Sequence, residues 1–354
     1  MTKLALATSG SGWGMGKIVG GIYFIVGRNI LAAQSFCGVL GAATVPMIYS
    51  CARKIFNNRR VGQISALLVA LYPAFIVWTG QLLKDGLIIF LLVLAMTMVL
   101  LLQEKFRYTY VFLLTFSLLG IISLRFYIFY IVAVAIVGAF IVGTSNSPQS
   151  IMRRVGALVI IGIGLTYFGV IKNAGSEVDE FANLDRIELT RGALTRTADS
   201  GFGENLDVST IGGALAALPI GFTYLMFAPF PWEMSNFRQA IALPEVLVWW
   251  ASIPFLIGGL IYTIRHRLRK AIPVLIFSLM LTIGYSLFQG NVGTAYRQRT
   301  QIQVFLFMFI AVSWTMREEK QENRRLLKQI KRNQFANRSG IGGVEGLPVE
   351  RTDK

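Results

Sequence analysis

The chain contains a succession of apolar runs long enough to cross a lipid bilayer, and this pattern restricts the fold more than any other feature. A membrane-spanning helix needs about 20 predominantly apolar residues. Hydrophobic residues make up 54% of the chain and charged residues only 15%, whereas about a quarter of a soluble domain is charged. Because backbone polar groups inside lipid must pair with each other, the sequence predicts an all-α, polytopic membrane helical bundle.

Nine of the apolar runs are expected to be transmembrane helices. They occupy residues 30–51, 61–80, 86–102, 108–124, 126–142, 155–171, 246–264, 271–288 and 301–314. Residues 18–26 are too few to cross and are expected to form an interfacial helix. Glycines and prolines interrupt the apolar stretch 208–230, which favours interfacial or re-entrant helices there. Pro73 is expected to bend the second span.

These runs divide the chain into five predicted segments. They are an outward-facing lead-in with the interfacial helix (1–29), a six-helix membrane core (30–172), an extracytoplasmic loop with interfacial or re-entrant helices (173–245), three C-terminal membrane helices (246–316) and a basic cytoplasmic tail (317–354). Cys37 and Cys51 lie within or at the edge of one apolar run, so neither a disulfide nor a zinc site is expected.

Basic residues are distributed unevenly over the loops that join the runs. If the loop after the first run is cytoplasmic, the cytoplasmic loops carry Arg53, Lys54, Arg59, Arg60, Lys105, Arg107, Arg153, Arg154, Arg265, Arg267, Arg269 and Lys270. The opposite short loops carry Lys84, Arg125, Arg297 and Arg299. The positive-inside rule therefore predicts an outer N-terminus and a cytoplasmic C-terminus. The net charge of +16 then reflects topology and anionic lipid, and no nucleic acid is expected as a partner.

The stretch 71–85 (LYPAFIVWTGQLLKD) ends in an adjacent Lys84 and Asp85 between two apolar runs. Charges so close to hydrocarbon are costly unless they are paired, hydrated or functional. We expect them to line one polar cavity at the outer surface together with Arg125, Arg297 and Arg299. The long loop after residue 172, with its acidic patch, would cover this cavity. Alternatively, Lys84 and Asp85 only mark the end of a helix hairpin.

A second candidate stretch is 290–299 (GNVGTAYRQR), which is predicted to join two spans. Its glycines permit close backbone approach, and Asn291 and Tyr296 supply hydrogen bonds. The guanidinium groups of Arg297 and Arg299 suit a phosphate of a lipid-linked donor. The alternative is that these arginines anchor lipid head groups without a catalytic role.

A third stretch, 229–233 (PFPWE), is aromatic and turn-forming. Trp232 and Glu233 are predicted to line an acceptor or lipid groove, although an interfacial anchor explains the stretch equally well. Three loop carboxylates, Asp179, Glu180 and Glu233, are candidate ligands for a divalent cation, but solvated loop acids are the more common explanation. The sequence therefore assigns no cofactor.

Residues 30–143 combine the basic turn ARKIFNNRR, the segment ALLVALYPAFIVWTGQLLKD and a long apolar run. In this combination the chain resembles the GT-C glycosyltransferases, which include the bacterial RgtA/B/C/D-like enzymes and the dolichyl-phosphate-mannose protein mannosyltransferase group. The resemblance implies transfer of a sugar from a polyprenyl-phosphate carrier to a glycan, lipid or protein acceptor. The reaction would take place on the outer face of the bacterial cytoplasmic membrane.

The resemblance also implies roles for individual residues. Asp85 falls where these enzymes often carry an acidic residue in their second outer loop, and Lys84 would lie near the carrier phosphate. A carboxylate can take the proton from an acceptor hydroxyl, while cations stabilise charge on the departing phosphate. Catalysis is therefore expected from Asp85 and Lys84.

The chain departs from the family pattern at its start. The family begins with a further span and an outer loop that holds the principal catalytic carboxylate, whereas no Asp or Glu precedes Asp85 here. Three expectations remain open. The natural start lies upstream, or catalysis uses Asp85 or the acids between Glu177 and Asp185, or the protein is not an enzyme.

Two other function classes compete with a glycosyltransferase. A polymerase or ligase of lipid-linked glycans also needs outward arginines but usually no carboxylate base. A transporter, flippase or non-catalytic assembly subunit is the other class. Carriers usually show internal repeats and polar residues near the middle of the membrane. The sequence shows no repeat, and the predicted spans are almost free of charges at their centres.

Overall fold

The computed structural model describes residues 13–142, 152, 156, 158–163, 184–196, 201–203, 208–234 and 237–338. The named helices are α1 (Trp13–Val26), α2 (Ile30–Phe56), α3 (Arg59–Leu71), α4 (Pro73–Gly80), α5 (Lys84–Glu104), α6 (Tyr108–Leu124), α7 (Phe126–Val142), α8 (Leu184–Arg196), α9 (Ile211–Phe227), α10 (Phe237–His266), α11 (Leu268–Phe288) and α12 (Val292–Arg338). The described residues form no β-strand beyond one isolated bridge. The prediction of an all-α membrane bundle is confirmed.

Helix α5 and residues 298–313 of α12 lie at the centre of the bundle and are almost entirely buried. α5 packs against α2 and α6, and α12 packs against α10 and α3. Every residue of α12 from Gln298 to Ser313 is buried. α5 is apolar over almost its whole length, as a fully buried helix usually is. α12 instead begins with a run of polar side chains, so these must find partners inside the protein.

Ion pairs place the helix termini at two opposite ends of the bundle. At one end, Lys54 contacts Glu104, and Arg60 lies 3.0 Å from Glu318. At the other, Asp85 contacts a cation that follows α6 and a cation in the first turns of α12. We call these the Arg60 end and the Asp85 end. The four cations predicted to face outward all belong to the Asp85 end, while the orientation of the bundle in a membrane stays a prediction.

Four described helices are long and apolar enough to cross a membrane: α2, α5, residues 240–266 of α10, and α11. The pair α3 and α4 makes a fifth if it is counted as one bent span. The two helices meet at an angle of 61°, with Tyr72 between them and Pro73 as the first residue of α4. Proline is well tolerated at that position but cannot continue a preceding helix, which confirms the predicted bend.

Several predicted boundaries differ from the observed helices. α9 is continuous through Pro219 where we expected interruptions, and Thr210 caps it by accepting a hydrogen bond from the Gly213 amide at 3.1 Å. α10 is continuous through Pro244 and so begins earlier than the predicted span. Most of the predicted span 155–171 lies outside the described residues. The number of nine spans therefore stays a prediction.

Close crossing of α10 and α12 depends on Gly259. A Cβ atom added there would lie 1.8 Å from the carbonyl oxygen of Phe309, whereas at the neighbouring Gly258 it would meet the movable Ser313 hydroxyl at 2.8 Å. Gly259→Ala should therefore lower the free energy of unfolding by about 1–3 kcal/mol, the usual cost of overpacking. Gly258→Ala is the matched control and should change it much less. Thermal unfolding of the purified variants in detergent measures both, and equal losses would contradict this account of the crossing.

Candidate functional site

Asp85 is the centre of a buried ionic cluster. Its Oδ1 accepts hydrogen bonds from Arg125 Nη2 and from Gln301 Nε2, both at 3.0 Å. Its Oδ2 lies 3.2 Å from Arg297 Nε. Only 1% of Asp85 is exposed. A carboxylate removed from water is tolerated when it is paired in this way, so Asp85 holds two guanidinium groups in fixed positions.

Two tyrosines extend this network. Arg125 Nη1 donates to the hydroxyl oxygens of Tyr127 at 3.1 Å and Tyr285 at 3.3 Å. The Tyr285 hydroxyl in turn donates to Gln301 Oε1 at 2.7 Å. Each polar group therefore restrains its neighbours. We refer to Lys84, Asp85, Arg125, Arg297 and Gln301 as the Asp85 cluster.

The local sequence explains how three elements meet at this point. Asp85 lies in the first turn of α5, where a carboxylate interacts favourably with the helix dipole. Arg125 is the single residue between α6 and α7, so its position follows from two helix ends. Arg297 and Gln301 are four residues apart on α12 and therefore face the same side of that helix.

Lys84 adds a third cation to the cluster. Its side chain is partly exposed, and it lies close enough to Asp85, Arg125 and Arg297 to interact electrostatically with them. With three cations and one carboxylate, the cluster has a formal charge of +2. Lys84 and Asp85 were expected in a short loop, but the loop ends at Leu83 and both residues belong to the helix.

Most of the predicted loop 290–299 forms the first turns of α12. Asn291 caps the helix because its Oδ1 accepts hydrogen bonds from the amides of Gly293 at 2.7 Å and Thr294 at 3.3 Å. Gly290 is needed for close approach, as predicted, because an added Cβ would lie 2.2 Å from Thr195 Oγ1 of α8. The polar residues 296–299 thus belong to a buried helix and have fixed directions.

Helix α8 packs against the short segment that joins α11 to α12, where Gly290 lies next to Thr195. Its Arg191 is 1% exposed and donates to the Leu287 carbonyl oxygen at 3.4 Å. Burial lowers the pKa of the Arg191 guanidinium, and the charge of Glu188 acts in the opposite direction. Its contact with the Leu287 carbonyl oxygen holds the end of α11.

Arg299 does not join Arg297 at Asp85. Its Nη1 donates to the carbonyl oxygens of Met226 and Ala228, both at 2.9 Å, and the side chain is fully buried. Residues two positions apart on a helix point about 200° apart, so the two guanidinium groups cannot clamp one phosphate. Binding of the donor by Arg299 stays a prediction, and its observed contacts instead hold the end of α9.

A second polar cluster lies on the other side of α12. Its members are Tyr72, Trp78, Glu245, Tyr296, Arg299 and Gln303, and we call it the Glu245 cluster. Glu245 Oε2 accepts a hydrogen bond from the Ala74 amide at 2.7 Å, and the Tyr72 and Tyr296 hydroxyls lie beside the carboxylate. Gln303 Nε2 donates to the Tyr72 hydroxyl oxygen at 2.8 Å. The Arg299 Cζ lies 5.0 Å from the centre of the Tyr296 ring.

Two central residues of these clusters were not predicted. Gln301 was assigned to the start of an apolar span, although its spacing of four from Arg297 placed it on the same helix face. Glu245 was assigned to the end of the long loop, because Pro244 was taken as a boundary. A carboxylate at the start of a long apolar run is the signal that pointed to Glu245.

The predicted groove residues lie around the turn after α9. The carbonyl oxygens of Met226 and Phe227 accept hydrogen bonds from the indoles of Trp249 at 2.8 Å and Trp250 at 3.0 Å. Next to this turn is an apolar groove of about 480 Å³. It is lined by Phe227, Phe230, Trp250, Ile253 and Pro254.

Trp232 and Glu233 lie at the side of this groove. Trp232 is 73% exposed and stacks on Phe230 with ring centres 5.2 Å apart. Glu233 is exposed and accepts a hydrogen bond from the Tyr224 hydroxyl at 3.1 Å. The acidic patch Glu177, Asp179 and Glu180 lies outside the described residues. Within the described ranges, no three His, Cys, Asp or Glu side chains are grouped as a metal site would require.

Comparison with known proteins identifies the fold. Residues 17–171 match the family model described as dolichyl-phosphate-mannose-protein mannosyltransferase, which is less than half of the chain. The apo crystal structure of the Archaeoglobus fulgidus oligosaccharyltransferase is similar with a TM-score of 0.50 and 12% identity, over 95% of this chain and 45% of that one. The chain has the GT-C fold.

A second oligosaccharyltransferase structure, of AglB from A. fulgidus in complex with an inhibitory peptide and a dolichol-phosphate, has a TM-score of 0.49 and 14% identity. It is matched over 95% of this chain and 44% of that one. The GT-C chain described here therefore spans less than half the length of these structures. A search of curated protein sequences returned no match.

The ion pairs predict a clear pattern of stability. Asp85→Asn should destabilise the protein by about 3–5 kcal/mol, because it leaves buried cations without their counter-charge. Arg125→Gln should cost a similar amount, and the double variant should lose less than the sum of the two. Thermal unfolding in detergent measures all three, with Arg60→Gln as the surface ion-pair control. Strict additivity of the two substitutions would contradict the proposed coupling.

Proposed function

We propose that this chain is a membrane glycosyltransferase that takes a sugar from a polyprenyl-phosphate carrier. The family match of residues 17–171 and the GT-C fold support the general class. The observation that carries the donor assignment is the Asp85 cluster, where three cations surround one carboxylate at the helix ends. Transfer would take place on the outer face of the cytoplasmic membrane, to a cell-envelope glycan, lipid or protein.

The charge of the cluster suits a phosphate group. Lys84 and Arg297 are both partly exposed, and 27% of the Arg297 side chain is accessible. Arg125 is only 4% exposed and holds the Asp85 carboxylate from the buried side of the cluster. A phosphate monoanion or dianion would offset the excess charge of the cluster, and Arg offers it a planar fork of donors. The same cations would stabilise charge that develops on the phosphate as the sugar leaves.

Asp85 acts in this proposal as a positioning residue. Both of its carboxylate oxygens are engaged by guanidinium or amide groups, and almost none of its surface is accessible. A general base must be within hydrogen-bond reach of the proton it takes. Asp85 therefore sets the direction of Arg297 and is not assigned the role of the base. This revises the role that the family resemblance implied for Asp85.

The apolar groove beside Trp232 suits the isoprenoid chain of the donor. Its lining residues carry no charge, and its floor is fixed by the Trp250 indole. Arg299 binds the carbonyl oxygens of the same turn, and Arg299 and Arg297 are two residues apart on α12. The groove and the cationic cluster are thus connected by one rigid helix.

A second candidate function is a polymerase or ligase of lipid-linked glycans. The complete pairing of Asp85 favours it, because such enzymes need outward arginines but usually no carboxylate base. In this case the reducing-end carrier of a growing glycan would occupy the same phosphate site. The number of sugars on the lipid product distinguishes the two functions.

Donor binding can be tested with the purified protein in lipid nanodiscs. Arg297→Gln and Lys84→Gln should each weaken binding of polyprenyl phosphate by about 10- to 150-fold, since each removes a charge-assisted hydrogen bond of about 1.5–3 kcal/mol. Consumption of a radiolabelled polyprenyl-phosphate sugar by membranes that contain each variant should fall in parallel. Arg60→Gln at the opposite end is the control and should leave both measurements unchanged. Unchanged binding in both Lys84→Gln and Arg297→Gln would refute the phosphate site.

The orientation can be tested by cysteine labelling in intact cells. Both native cysteines are buried, so an introduced exposed cysteine gives a clear signal. Glu233→Cys at the Asp85 end should react with a membrane-impermeant maleimide from outside. Lys320→Cys at the Arg60 end should react only after permeabilisation. The reverse pattern would place the phosphate site in the cytoplasm and rule out transfer on the outer face.

A further inference from the structure

The Glu245 cluster contains buried polar atoms for which the described part of the chain supplies no hydrogen-bond partner. The donors are Arg299 Nε, Arg299 Nη2 and Trp78 Nε1, and the acceptor is Gln303 Oε1. The Glu245 carboxylate lies among them, beside the Tyr72 and Tyr296 hydroxyls. Glu245 is 8% exposed, and Arg299 and Gln303 are fully buried. Unpaired buried polar groups are rare in native proteins and costly. Several of them around one helix turn indicate a site for a polar ligand.

We propose that the Glu245 cluster binds the sugar of the lipid-linked donor through its hydroxyl groups, an inference that rests on the proposed glycosyltransferase function. A sugar hydroxyl both donates and accepts hydrogen bonds. It can therefore donate to Glu245 Oε1 or Gln303 Oε1 and accept from Arg299 or Trp78. A phosphate has only acceptor atoms when ionised, so the carboxylate would repel it. The two clusters thus differ in the chemistry that they recognise.

The arrangement on α12 matches a glycosyl phosphate. Tyr296 belongs to the Glu245 cluster, and the next residue, Arg297, belongs to the Asp85 cluster. In the donor, the sugar and the phosphate are joined by one glycosidic oxygen, so their binding groups must also be neighbours. Tyr296 and Arg297 are consecutive and both partly exposed, so the sugar and the phosphate of one donor can lie side by side over this turn of the helix.

Two aromatic rings form the entrance to the cluster. Trp78 and Tyr296 are only partly buried, and their ring centres lie 6.3 Å apart in an edge-to-face arrangement. The other unpaired atoms belong to the fully buried Arg299 and Gln303. In this proposal the sugar enters beside the Trp78 indole. The ring of Trp78 or Tyr296 then covers the apolar face of the sugar.

Glu245→Gln separates this proposal from a purely structural role. Glutamine keeps an oxygen that accepts the hydrogen bond from the Ala74 amide, but it removes the charge that strengthens hydrogen bonds from hydroxyls. In nanodiscs, polyprenyl phosphate and a panel of polyprenyl-phosphate-linked hexoses and pentoses serve as the two probes. For the glycosylated lipid that the wild type prefers, Glu245→Gln should weaken binding about tenfold, or about 1.4 kcal/mol. Binding of the bare phosphate should not change.

Three further variants complete the test. Trp78→Phe retains an aromatic ring but removes the N–H, and it should also weaken only the glycosylated lipid. Arg297→Gln should weaken both probes, and Glu104→Gln, which changes an exposed carboxylate at the Arg60 end, should weaken neither. Thermal unfolding of each variant separates a loss of binding from a loss of folded protein.

Each outcome has a definite meaning. If Arg297→Gln weakens both probes while Glu245→Gln and Trp78→Phe leave the preference for the glycosylated lipid unchanged, the sugar subsite is overturned and the phosphate site stands. A wild type that prefers no glycosylated lipid over the bare phosphate overturns the subsite as well. If neither Arg297→Gln nor Lys84→Gln changes either probe, the phosphate site on which the proposed function rests fails.

Discussion

The burial of one carboxylate among cations determines how the helices of this bundle come together at the Asp85 end. Asp85 begins the central helix α5, and its two oxygens bind groups from the α6–α7 junction and from α12. A lone charge at this depth would be unstable, so the three elements can only come together as a set. The same requirement leaves an excess of positive charge facing the exterior. Stability and the proposed binding of the donor phosphate therefore depend on the same few atoms.

The sequence was informative where charge interrupts a hydrophobic pattern. The approach of Asp85 to Arg125 and Arg297 could be anticipated, because charges in an apolar chain must gather at helix ends and pair there. The bend at Pro73 followed from the missing N–H of proline. The sequence did not reveal that α12 begins at Val292, because its polar first turns resemble a loop. Only the Asn291 cap and the surrounding helices explain that start.

Tertiary packing decides the remaining features, and for this reason they could not be read from local patterns. Arg297 and Arg299 look equivalent in the sequence, yet a helix directs them to different partners. Glu245 follows a proline, which normally indicates a boundary, but α10 continues through it and brings the carboxylate into the bundle. Pro219 and Pro244 are tolerated in helices because neighbouring helices in a membrane protein can compensate for the lost hydrogen bonds.

The length of α12 has a mechanical consequence. At about 1.5 Å per residue, its 47 residues form a rod of about 70 Å. About 35 Å of this rod separates Arg297 from Glu318 and Glu322, the ion-pair partners of Arg60. A rigid rod cannot twist at one end only. Any rotation that draws Arg297 towards a ligand also moves Tyr296 and Arg299 and strains the ion pairs at the far end. Binding of a ligand at the Asp85 end would therefore be transmitted to the Arg60 end as a rotation of α12.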